Sequence, residues 1–102
     1  MNAETVGGIA HALGHTMRVR IVRLLAEQPE CRGTDIFSSL PLAQSTTSQH
    51  ISILRNAGLV TSHAVGSGSV YCLNPAVLSE FAAEIRQIAE SAPVCRANSK
   101  EE

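Results

Sequence analysis

Residues 42–59 read LAQSTTSQHISILRNAGL, and this stretch decides the fold. Gln44 or Ser45 can open a helix that ends at Asn56 or Ala57, because Thr47, Ile51 and Leu54 recur at i, i+4 and i+7 as one apolar stripe. Gly58 suits the left-handed position just past a helix, and Leu59 the hydrophobic contact that follows it. The opposite surface carries Ser45, Thr46, Ser48, Gln49, Ser52 and Arg55, rich in hydrogen-bonding groups and almost free of formal charge. Upstream, Pro29 and Gly33 bracket a turn. Thr34 can cap a short helix from Asp35 to about Leu40, with Asp35 in the first turn where the helix dipole favours it, and Pro41 breaks that helix. A short helix, a proline-containing turn and a second helix with a small polar face is the pattern of a helix-turn-helix. Gln, Ser, Thr and His on such a face can hydrogen-bond base edges and phosphates in a major groove, and Arg55 can reach a phosphate.

Working outward, Val60–Val65 and Val70–Leu73 read as two short strands joined by Gly66-Ser67-Gly68-Ser69. A hairpin directly after the second helix makes the arrangement winged, with Ser67 and Ser69 at its tip beside an adjacent groove. Asn74-Pro75 opens a last helix whose Val77, Leu78, Phe81, Ala82, Ile85, Ile88 and Ala89 form a wide apolar stripe. At the other end, Val6, Ile9, Ala10 and Leu13 mark a helix from Glu4 to Leu13, weakened by Gly7-Gly8 and ended by Gly14. Thr16 is the expected N-cap of a helix running to about Gln28. Its MRVRIV segment alternates like a strand, but Met17, Ile21, Leu24 and Leu25 keep a helical period. The fold class is mainly α with a small β-hairpin, a winged helix-turn-helix of about five helices and a two-stranded wing. One small core cannot absorb both terminal stripes, so a second copy related by a two-fold axis is expected to cover them. Residues 1–91 form the expected domain, with 92–102 a frayed tail.

The 102 residues allow one domain. With 44% hydrophobic and 17% charged residues the chain is expected to fold rather than stay disordered. Phe37, Tyr71 and Phe81 are its only aromatics, which argues against stacking platforms for single strands or sugars. No apolar run approaches the ~18 residues of a membrane span, and MNAETVGG lacks an export signal, so a cytoplasmic protein is expected. Cys31, Cys72 and Cys95, odd in number and widely spaced, suggest reduced thiols rather than a disulfide framework. No CxxC or HExxH motif, phosphate loop or ordered Ser/His/Asp set is present, so neither a cofactor nor an enzyme is expected.

From Ile9 to Pro75 the sequence resembles the ArsR/SmtB family of bacterial winged-helix repressors, most specifically in SQH followed by LRNAGLV and in the wing ending VYCL. The resemblance implies a cytosolic homodimer joined through its first and last helices that represses an operon until an effector binds. It places the recognition helix at about Gln44 to Asn56, with Gln44, Ser45, Thr46, Ser48, Gln49 and His50 nearest a pseudo-palindromic double-stranded DNA operator. Thr47 falls where the family has Val and is assigned to the core. Each polar residue has a blander reading: Ser48 or Ser52 as solvated surface, His50 as a core-edge histidine bonding backbone. Arg18, Arg20 and Arg23 read as a solvated or phosphate-facing edge.

The family's metal sites can be checked by position. Its Cys-Val-Cys metalloid motif aligns with Arg32, Gly33 and Thr34, with Cys31 one place too early, and the last helix has no histidine for the zinc-type site. His11 and His15 are separated by the expected helix end, which disfavours shared ligation. Cys31 and Cys95 loosely match the thiol-sensing pair of some members and are the candidate thiol sensor, the alternative being that both are incidental.

Two functions compete. The first is an operator-binding repressor. The second is a protein-interaction or dimerisation module whose DNA face has been lost, motivated by the absence of Lys and Arg between Asn56 and Ile85. Net charge is −1, but through Pro75 five basic residues face four acidic ones, and the remainder carries three against five. Strong nonspecific binding is therefore excluded more firmly than DNA binding itself, and the salt dependence is expected to be shallow.

Overall fold

A computed structural model describes residues 1–28, 36–66 and 68–95. Its elements run α1 (Ala3–Leu13), α2 (Thr16–Glu27), α3 (Ile36–Ser39), α4 (Gln44–Asn56), β1 (Val60–Val65), β2 (Gly68–Leu73) and α5 (Pro75–Ser91). This is the expected winged helix-turn-helix, five helices with a two-stranded antiparallel wing.

Local chemistry sets most boundaries. Asn2 caps α1 by accepting the Thr5 amide at 2.8 Å. The cap of α2 differs from expectation. Thr16 is already helical, and His15, with extended backbone, accepts the Met17 amide on Nδ1 at 3.0 Å, so an imidazole does the work expected of a hydroxyl. The expected cap Thr34 and helix start Asp35 lie outside the described residues. At the end of α4, Gly58 takes φ 83°, its amide donates to the Arg55 carbonyl at 3.0 Å, and the Leu59 amide reaches back to Leu54 at 3.0 Å. These two bonds are the Schellman pattern, and Leu59 is fully buried as its hydrophobic follow-on.

In the wing, Val65 pairs with Gly68 and Ala64 with Ser69, so the turn has two residues, Gly66 and Ser67, rather than four. Gly66 has φ 60°, the sense a tight hairpin turn requires. Ser69 is thereby corrected from tip to exposed strand residue, because the strands keep pairing two residues further than the glycines suggested. The structure of Ser67 lies outside the described residues.

The core joins Ile9 and Ala12 of α1, Ile21, Val22 and Leu25 of α2, Ile36 of α3, Ile51 and Leu54 of α4, and Leu59 and Val60. Each Ile, Leu or Val among them contributes about 1.5–3 kcal/mol through burial, and together they fix α4 on its Thr47–Ile51–Leu54 side. Helix α5 buries no residue fully. Val77, Leu78 and Phe81 pack partly on the core, but Ile85 and Ile88 are 43% and 65% exposed, and the molecule extends 60 × 27 × 25 Å. No helix among the described residues is long and apolar enough to cross a membrane.

Candidate nucleic-acid interface

Seen from the core, α4 turns Ser45, Ser48 and Gln49 outward, with Gln44 and Arg55 exposed at its two ends. Thr46, His50 and Ser52 are half-buried on its flanks. Helical spacing separates these groups: Ser45, Ser48, Gln49 and Ser52 share one neutral, hydrogen-bonding face, whereas Thr46 and His50 lie on the edge toward α2. The helix starts after Ala43 without a side-chain cap, an arrangement that suits its first-turn amides to phosphate oxygens. Arg55 makes a long bond, 3.5 Å, from Nη1 to Ser62 Oγ, linking the far end of α4 to β1. Ser69 stands exposed on β2, and the wing also exposes Val65.

Thr47 occupies the core as expected, fully buried, and its hydroxyl oxygen has no hydrogen-bond partner among the described residues. A buried hydroxyl left unpaired is costly.

Arg18 departs from expectation. It is not a solvated edge residue: only 8% of it is exposed. Its Nε donates to the Ala12 carbonyl, Nη2 donates to the His11 carbonyl at 3.3 Å, and Nη1 lies 3.2 Å from His50 Nδ1. The buried cation sits against the negative end of the α1 dipole, where it serves the Ala12 carbonyl and adds a second donor to the His11 carbonyl, which already accepts the Gly14 amide. Three arginines close together in sequence gave no sign of which one faces α1. Arg20 and Arg23 are exposed as expected.

His50 stands half-buried at the flank of α4, its Nδ1 against a guanidinium rather than a backbone group. Its ring lies 4.5 Å from that of His15, tilted by 53°. Burial first, then His15 and Arg18, lower its pKa. The folded state thus favours the neutral ring, and its contribution to stability is complete above the ordinary histidine value of about 6.5. That contribution is lost as pH falls from there to the depressed value. Thermal unfolding followed between pH 7.5 and 5 is expected to show this loss, and His50→Gln to flatten it; an equal slope in the variant would contradict the assignment.

The cysteines differ from the reading of three reduced thiols. Cys72 is buried on β2 and disulfide-bonded. Chain spacing could not show this, because tertiary folding decides which thiols approach; separately, β2 packs on α2, and the Gln28 side-chain amide donates to the Tyr71 carbonyl at 3.1 Å. Cys95 is exposed past α5 and outside that bridge, while Cys31 lies outside the described residues. Among the described residues no three His, Cys, Asp or Glu side chains converge as a metal site.

Comparison with known proteins bears on this geometry. Residues 15–62 match the family profile of bacterial regulatory proteins of the arsR family. An uncharacterized HTH-type transcriptional regulator of Mycobacterium tuberculosis is 32% identical over 76 residues, covering 74% of this chain and 67% of that protein. An ArsR-like transcriptional regulator from Rhodococcus sp. RHA1 superposes with a TM-score of 0.72 at 23% identity, over 85% of this chain and 81% of the other. A cadmium metal-sensor from Mycobacterium tuberculosis has a TM-score of 0.55 at 25% identity, over 87% and 95%.

Proposed function

Because this chain belongs to the arsR family of bacterial regulatory proteins, we propose that its DNA-binding, transcription-regulating activity is that of a cytoplasmic homodimeric repressor reading a pseudo-palindromic operator. It is a transcriptional regulator and not an enzyme. The observation that carries the proposal is the exposed neutral face of α4, Ser45, Ser48 and Gln49, backed by Thr47, Ile51 and Leu54 in the core. Gln44, Thr46, His50, Ser52 and Arg55 extend the contact surface, with Ser67 and Ser69 contributed by the wing. Two copies would set these helices about 34 Å apart, one helical turn of DNA.

The test is binding of the purified protein to its own upstream region against a scrambled duplex, followed by fluorescence anisotropy. Clear preference for the former is expected. Arg18 is buried, so Arg20, Arg23 and Arg55 are the exposed cations among the described residues before Pro75. The plot of log affinity against log salt is then expected to fall with a slope of only about −2 to −5. A steeper slope, or equal binding to both duplexes, would refute sequence-specific reading by the neutral helix face and favour a module that has lost its DNA face.

For the effector, thiol chemistry is the reading that an observation supports, since a buried disulfide at Cys72 in a cytosolic protein fits a redox-responsive role. Polysulfide, peroxide, arsenite and zinc should be titrated separately while DNA release is followed. Release by polysulfide or peroxide is expected. Release that persists undiminished in Cys72→Ser, and in Cys31→Ser and Cys95→Ser, would exclude a thiol sensor at these positions.

A further inference from the structure

Arg18 connects three places that the DNA-reading role does not by itself require to be connected: the last carbonyls of α1, the start of α2 and the flank of α4. Guanidinium groups only donate hydrogen bonds. The His50 nitrogen facing Arg18 must therefore present a lone pair, which leaves the ring hydrogen on Nε2. Protonating His50 would also set a second cation against a buried one that has no carboxylate partner among the described residues. The other titratable group facing the ring is His15, whose Nδ1 is engaged with the Met17 amide.

We propose that Arg18 is a positioning residue of the recognition helix: it holds His50 as a neutral ring with its hydrogen on Nε2, so that His50 offers the duplex a hydrogen-bond donor and no acceptor. This rests on the reading that α4 faces DNA. The function of His50 is then defined by what lies behind it. A histidine free to exchange tautomers would accept as readily as it donates and would discriminate less between base edges. Arg18 removes that ambiguity, and by gripping Ala12 and His11 it fixes where the ring stands relative to α1.

The experiment has two arms. In the free protein, long-range nitrogen–proton NMR spectra of the histidine rings report the tautomer of His50 without any DNA. The Nε2–H form is expected in the wild type and a mixed or Nδ1–H signal in Arg18→Met, whereas Arg18→Lys, whose ammonium can still donate to Nδ1, is expected to retain Nε2–H. A wild-type ring in the Nδ1–H form overturns the proposal even if neither variant folds. In the second arm, operator affinity is measured for Arg18→Met, His50→Phe and the double variant. Each single change is expected to weaken binding about tenfold, and the double variant to be no weaker than either, because Arg18 acts through His50. Additive losses would overturn the positioning role. Should the wild type bind no duplex selectively, the repressor reading fails while the NMR arm still decides the tautomer.

Discussion

Glutamate in place of both Ile85 and Ile88 is expected to leave the chain monomeric and to lower operator affinity by about 10²-fold or more. Both side chains lie on the second half of α5, where the apolar stripe continues past Phe81 and no residue is fully buried by the described residues of the chain. Ile88 is mostly exposed and Ile85 partly so, so the change removes little packing within the protomer and far-UV circular dichroism should change little. Charge placed on a face that two copies share would instead oppose association. Two linked recognition helices gain binding strength because the second engagement is intramolecular, commonly by 10²–10⁴-fold, and a monomer forfeits this. Sedimentation of the variant beside anisotropy with the operator duplex checks both parts. A variant that stays dimeric would place the interface elsewhere.

The second large effect concerns Thr47→Val. The substitution replaces an unpaired buried hydroxyl with a methyl group of nearly the same shape. Relieving an unsatisfied buried polar atom is worth about 1–3 kcal/mol, which in a domain of this size raises the melting temperature by roughly 4 °C or more. Since Thr47 faces the core and not the polar face of α4, operator affinity should stay within about twofold. Differential scanning calorimetry checks the first statement. A lowered melting temperature would mean that the hydroxyl is satisfied after all.

How far the sequence could be read depends on whether the deciding interaction is local. The end of α4 was legible because Gly58 and Leu59 close it with bonds to residues three and five positions back. The stripe Thr47–Ile51–Leu54 was legible for the same reason, as a period within one helix. The neutral outward face of α4 followed directly from it. Arg18 was not legible, because its partners belong to α1 and α4 and only tertiary packing selects it over Arg20 and Arg23. The cap of α2 was misassigned by one residue, since a histidine accepting through Nδ1 competes poorly in expectation with a threonine beside it. The wing turn was read two residues too long. Glycines 66 and 68 look alike in sequence, but among the described turn residues Gly66 has positive φ, whereas Gly68 continues the strand. The bridge at Cys72 depends on tertiary approach of the thiols, which spacing along the chain does not encode.

The Asn74 amide donates to the Leu59 carbonyl at 2.8 Å, joining the residue after β2 to the residue before β1. Everything between them leaves and returns through one pinned doorway. The hairpin is thus an appendage whose length is decoupled from the two helices it separates, and residues added at Gly66–Ser67 would cost only slowly growing loop entropy. A wing can accordingly be lengthened or recharged without disturbing the junction between α4, the proposed recognition helix, and α5 with its exposed apolar stripe.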